Sequence, residues 1–318
     1  MKYFLFIVTF IIVLFLYLHI WYYYKTGDDL EVYSIEQPSK DKLEEICNIR
    51  QPVIFNYNNL ELLEKLNKEY INNNYGIFDI KIRDVHSKNG EGELFLPFTF
   101  KESNELLKND RESKYITENN GDFLDETALV KTFRFNDGFL RPYMVFNCKY
   151  DYLSGSDKSY TNLRYELNFR NYFYCTEGKV NIKLIPPKFS KYLYKEKDYD
   201  NFEFYSPINC WNVQDKYKIN YAKIKSLDIT LNKGEIIYIP AYWWYSIQFI
   251  ENSSVVSFKY KTFMNSVAIS PHIFMKVLQS QNVKLNNNEL VNFDKPKKTN
   301  NEVTMENQKT GEMKNDDN

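Results

Sequence analysis

Arg164 and Glu166 stand two residues apart in a stretch that reads as strand, so their side chains point the same way and can form a guanidinium–carboxylate pair. Arginine stays protonated and has no lone pair to give a metal, whereas a glutamate could still hold a cation. Two placements are open. Buried, the pair needs both members, because a carboxylate removed from water without a counter-charge is costly; exposed, it is worth roughly 0–1 kcal/mol. Elsewhere the reactive residue types are scattered. His86 and His272 belong to no H-x-D or H-x-x-x-H arrangement and read as ordinary histidines. Cys47, Cys148, Cys175 and Cys210 include no C-x-x-C pair and so spell no zinc site; two disulfides or four thiols are both open. G-x-S-x-G, the phosphate-binding P-loop and H-E-x-x-H are absent.

These residues sit in a chain of 318 residues with 43% hydrophobic and 17% aromatic residues, room for one substantial, β-leaning domain. A net charge of −1 gives no footprint for nucleic acid, which is excluded as a partner. Lys188, Lys191, Lys195 and Lys197 are broken by Glu196 and read as a solvated loop.

From Tyr3 to Tyr24 the chain is almost wholly apolar, long enough to cross a bilayer as a helix. It ends in Trp21, Tyr22, Tyr23 and Tyr24 rather than a small-residue cleavage site, so an uncleaved anchor is expected over 1–27, its rings at the lipid interface. His19 near that end is expected to stay neutral. The expected location is a membrane, in single-pass form. Lys2 on one side and Lys25 on the other give a weak bias, leaning to a cytosolic amino terminus. With that orientation, Asn252-Ser253-Ser254 is a glycan acceptor sequon in an expected surface turn. Residues 286–318 are polar and aperiodic and are expected to be a disordered tail, leaving 28–285 as the folded domain.

Within that domain, Leu43–Cys47 and Leu60–Tyr70 read as helices flanking a strand at Pro52–Phe55. Short β runs follow as NIKLIP, LDITL, EIIYIP, YSIQF and VVSFKY, and a helix near 270–281 carries Ile273, Phe274, Val277 and Leu278 on one face. The pattern is mainly β with added helices, a sandwich or barrel.

The segment Gly234-Glu-Ile-Ile-Tyr-Ile-Pro240-Ala-Tyr-Trp243-Trp244-Tyr245 resembles the G-D-x-L-Y-I-P-x-x-W-W-H element of the JmjC-type cupins, iron and 2-oxoglutarate dependent oxygenases. Upstream, Thr161-Asn-Leu-Arg164-Tyr-Glu166, Asn171-Tyr-Phe, Gly178-Lys and Leu184-Ile-Pro186-Pro187 resemble that family's T-x-L-H-x-D, N-F, G-x-K and L-x-P-P elements in order. Val256-Ser257-Phe-Lys-Tyr260 is similar to its closing strand and Arg50-Gln-Pro52-Val-Ile54 to its opening segment. The resemblance implies a double-stranded β-helix, the cupin or jelly-roll fold, behind the amino-terminal helix.

It also implies where iron would bind, and there the chain departs. The His-x-Asp positions fall on Arg164 and Glu166, the distal histidine on Tyr245, and the co-substrate lysine on Val180, with Lys179 facing the other side of its strand. Thr161 and Ser257 complete the degenerate pocket positions. A register shifted by one puts Tyr165 and Leu167 at the first two ligand positions instead, and also lacks a site. The reading that follows is a membrane-anchored, metal-free binding or scaffolding relative, a pseudoenzyme with no cofactor, its pocket filled or reused. Two alternatives stand beside it: a hydroxylase or demethylase using iron and 2-oxoglutarate through non-standard ligands such as Glu166 with a distant histidine, and a structural protein self-associating through the helix near 270–281. The protein partner is not readable from the sequence.

Overall fold

The computed structural model describes residues 1–86, 95–199 and 202–281; the expected tail at 286–318 lies outside them. Thirteen strands occur among the described residues: β1 (Tyr33–Ile35), β2 (Val53–Asn56), β3 (Asp79–Asp84), β4 (Leu96–Thr99), β5 (Tyr115–Thr117), β6 (Val145–Gly155), β7 (Arg164–Tyr165), β8 (Arg170–Ile185), β9 (Glu196–Asp198), β10 (Glu203–Tyr205), β11 (Leu227–Asn232), β12 (Glu235–Tyr238) and β13 (Trp244–Thr262).

Two long strands organise them. β8 and β13 pair antiparallel from Trp244 opposite Ile185 to Tyr260 opposite Arg170. Tyr172–Tyr174 of β8 also pair with β12, whereas Lys179–Leu184 pair with β11. β13 likewise meets β7 at Trp244 and Tyr245 and β6 from Ser254 onward. The pair therefore serves two sheets, β1-β2-β12-β8-β13-β6-β5-β3-β4 and β11-β8-β13-β7-β10-β9. The change of sheet falls where the backbone bends: Gly178 has φ +69°, and the β13 register shifts between Ile250 and Val255, where Glu251 and Asn252 have positive φ. YSIQF and VVSFKY, expected as separate strands, are thus two halves of one bulged strand.

Strand alternation sorts the core. Phe173 and Cys175 of β8 point between the sheets with Val180, Ile182, Leu184, Trp243, Ile247 and Phe249. Tyr172 and Tyr174, one residue out of phase, pack with Leu43, Leu62, Phe123 and Phe133 from the helices outside. Burying one such Phe or Leu contributes about 1.5–3 kcal/mol. The helix expected over Leu60–Tyr70 is two, Leu60–Lys65 and Lys68–Tyr75, because Asn67 caps the second by accepting from the Tyr70 N–H.

Lys2–Tyr24 is a helix long and apolar enough to cross a membrane, with none of its apolar stretch buried in the domain. Its aromatic end also contacts the domain: Tyr22 donates to Asn48 Oδ1, Tyr24 donates to the Ala268 carbonyl, and the Tyr23 and Thr262 hydroxyls bond at 3.1 Å, while Trp21 stays exposed. The Arg50 guanidinium lies over the Tyr22 and Phe169 rings. At the other end of the chain, helix Ser270–Gln281 exposes Ile273, Phe274, Val277 and Leu278.

The β13 bulge also corrects the picture of the sequon. Asn252 gives its carbonyl and Oδ1 to Lys68 Nζ, and Ser254 is buried against Thr176, so the sequon is not presented as an open surface turn. Burial pushes the Lys68 ammonium down to about 7, with Glu177 offsetting part of the effect. A lysine whose folded pKa lies below its unfolded value costs stability while charged, a cost relieved as pH rises from 7 toward the unfolded value. The unfolding free energy of wild type relative to Lys68→Met is therefore expected to rise between pH 7 and about 9.5, measured by urea denaturation. A pH-independent difference would contradict it.

Candidate functional site

β7 and the residues after it bring Arg164 and Glu166 beside Tyr245, whose backbone is in register with Arg164. The two charged groups do not pair with each other. Glu166 Oε1 accepts from Lys259 Nζ at 2.6 Å and from the Tyr245 hydroxyl at 3.1 Å, and Oε2 accepts from Asn168 Nδ2 at 3.1 Å. Burial resists ionisation of Glu166, but the Lys259 charge and hydrogen bond, with Arg164 behind them, hold its carboxyl down at about 2. Burial likewise works against the Lys259 ammonium, and Glu166 more than offsets it, raising its pKa above the ordinary lysine value. The Tyr245 phenol is pushed up to about 12 by burial and then by Glu166.

Arg164 turns instead to Glu118, in the loop after β5, with Nη2 2.5 Å from Oε2. Arg83 of β3 takes the other oxygen, its Nε and Nη2 each 2.7 Å from Oε1. This Arg–Glu–Arg triad is buried, so an exposed ion pair is ruled out for Arg164, and the expected Arg164–Glu166 pair is replaced by two separate pairings. Beside both lies a cleft of about 180 Å³, lined by Arg164, Glu166, Lys149, Lys259, Lys261 and Lys276 among others.

With two sheets sharing β8 and β13 and a charged cleft at β7, comparison with known proteins is direct: a family described as a cupin-like domain matches residues 39–266. The chain belongs to this family. HSPB1-associated protein 1 from Bos taurus and from Homo sapiens is each similar to it at 26% identity over 86 residues, 27% of this chain, and the Rattus norvegicus protein at 24%. The match spans 18% of the length of those relatives.

In this cupin-like domain the Arg164 and Glu166 side chains both meet Tyr245. Tyr165 and Leu167, the positions of the shifted register, lie instead in a cluster with Trp244, Ile185 and Phe204. Val180 is fully buried in the apolar cluster between the sheets, and Lys179 points outward to Glu251, as strand alternation requires. Thr161 braces β13 by accepting from the Ile247 N–H, and Ser257 is buried with no hydrogen-bond partner for its hydroxyl among the described residues. The four cysteines are free thiols. His272 meets Tyr199 and Phe204, while His86 lies against Tyr160.

The residues present do not suit ferrous iron. Arg164 and Lys259 carry positive charge into the position, and every Glu166 oxygen already has a donor. Among the described residues no three His, Cys, Asp or Glu side chains gather to hold a metal ion. Sequence reasoning missed Glu118, Arg83, Lys149, Lys261, Lys276 and Lys259. Lys259 had a signal, since it stands two residues after Ser257 on the closing strand and so on the same face. Glu118, 46 residues before its partner, had none.

Proposed function

We propose that this chain is a membrane-anchored cupin-like domain that binds or scaffolds and does not oxidise. The observation that carries this reading is the Lys259–Glu166 pair: an ammonium 2.6 Å from the carboxylate supplies the charge a metal supplies in the oxygenases. Support comes also from Val180, an apolar residue where the resemblance implies the co-substrate lysine. The anchor is residues 3–24, with the amino terminus in the cytosol. A relative named for its association with HSPB1 is in keeping with a protein-binding role. A second reading, self-association through helix Ser270–Gln281, is favoured by its exposed Phe274 and Leu278.

The test is metal analysis of the full chain purified in a neutral detergent, with 2-oxoglutarate turnover followed as succinate. The expected result is a substoichiometric iron content, no rise on ferrous addition and no succinate. Stoichiometric iron with succinate formation would establish the oxygenase alternative instead. Sedimentation of the same preparation reports self-association.

A further inference from the structure

The cleft beside Glu166 holds more positive charge than the two pairings consume. Arg164 is committed to Glu118 and Lys259 to Glu166. Lys149, Lys261 and Lys276 also line it, and among the described residues none of the three forms an ion pair. Glu203 is the remaining carboxylate in the lining, and it accepts from Asn119 Nδ2. Three ammonium groups thus face one uncommitted carboxylate. They also converge. Lys261 Nζ lies 4.8 Å and Lys276 Nζ 5.6 Å from the centre of the same ring, that of Phe202. Lys149 reaches the cleft from β6, whose Lys149 is in register with Lys259. Like charges held together in a partly dry cleft repel, and an anion among them relieves that repulsion.

Size and place narrow the anion. At about 180 Å³ the cleft is below the roughly 300–1,000 Å³ of sites for drug-sized ligands, so it suits a compact group. Lysines act as point charges toward phosphate. The strand that carries Lys259 and Lys261 also meets the apolar helix, since Thr262 is bonded to the Tyr23 hydroxyl in that helix's last turn. A phosphate carried by a lipid headgroup and a free phosphate share this chemistry.

We propose that Lys149, Lys261 and Lys276, over the Phe202 ring, form a site for a phosphate group. This rests on the metal-free, membrane-anchored reading above and names the ligand class of the same cleft. Burial lowers the Lys261 pKa; the Glu166 carboxylate works against that, and Lys149 and Lys276 add to the lowering.

The test is titration calorimetry on the full chain in dodecylmaltoside with dioctanoyl phosphatidic acid, dioctanoyl phosphatidylcholine and inorganic phosphate. Phosphatidic acid is expected to bind, and Lys261→Gln with Lys276→Gln to weaken it roughly tenfold or more, as loss of charge-assisted hydrogen bonds implies. Lys276→Gln alone, at an exposed position, should weaken it in the same direction without disturbing the fold, and Lys188→Gln should leave it unchanged. Equal, lysine-dependent binding of inorganic phosphate would support the site and assign it to a free anion. No binding of either phosphate probe, or binding indifferent to Lys261 and Lys276, would overturn the proposal. Iron content of the same preparation reports separately on the metal-free reading.

Discussion

Glu118→Gln is expected to destabilise the folded chain by about 3–5 kcal/mol, the range for removing one member of a buried ion cluster. Glutamine keeps the volume and removes the one negative charge between Arg83 and Arg164, which then lie buried with their guanidiniums facing each other. Arg164→Met should cost less, about 1–3 kcal/mol, because Glu118 keeps Arg83 and loses one charge-assisted hydrogen bond. Urea unfolding of the full chain in detergent, followed by tryptophan fluorescence, ranks the two. A larger loss for Arg164→Met than for Glu118→Gln would show that Glu118 is not the hub. The pH dependence gives a second readout. Burial opposes ionisation of Glu118, yet the charges of Arg164 and Arg83 hold its carboxyl at about 2, below the ordinary 4.5. A depressed acid stabilises the fold above its unfolded pKa and loses that contribution as pH falls from about 4.5 toward 2. Glu166 follows the same window, so Glu118→Gln should flatten the acid limb without abolishing it.

How much of this was legible in the sequence depends on how local the cause is. Arg164, Glu166 and Tyr245 were brought together as expected because alternation fixes which way a strand residue points, and the Gly234–Tyr245 segment fixes the neighbouring strand. The pairing between Arg164 and Glu166 failed for a non-local reason. Residues i and i+2 share a face, but which counter-ion each meets depends on what the fold lays across that face: here Glu118 from the β5 loop and Lys259 from β13. The break at Asn67 is a capping choice that a stripe of Leu60, Leu63, Leu66 and Tyr70 does not reveal, and with the helix broken the residues turned fully inward are Leu62, Leu66 and Ile71 while Leu60 is exposed. Strands β3 to β6 were not read at all. They form the far half of one sheet, in which short β3, β4 and β5 pair among themselves and β5 with β6, while β6 reaches far along the chain to β13.

If Lys259 stands in for a metal's charge, removing it should decide whether a metal can enter. Arg164→His, Glu166→Asp and Tyr245→His together restore the ligand types that the oxygenase resemblance implies, but leave the Lys259 ammonium where it now sits, 2.6 Å from a carboxylate oxygen. Two unit charges about 4 Å apart interact by roughly 4 kcal/mol at an effective dielectric near 20, on the order of a thousandfold in affinity. The triple variant is therefore expected to bind Co²⁺ or Zn²⁺ weakly. Adding Lys259→Met keeps the side-chain length, removes the charge, and should tighten binding by about that factor. Metal binding to the folded state alone raises stability by about 4 kcal/mol at a thousandfold excess over Kd, so a metal-dependent rise in Tm is the readout. The comparison has two ways to fail. Equal metal affinity in the triple and quadruple variants would mean that Lys259 does not occupy the cation's role. No metal affinity in a folded quadruple variant would mean that residues 164, 166 and 245 do not converge as ligands, and the carboxylate–ammonium pair would then be an ordinary buried ion pair.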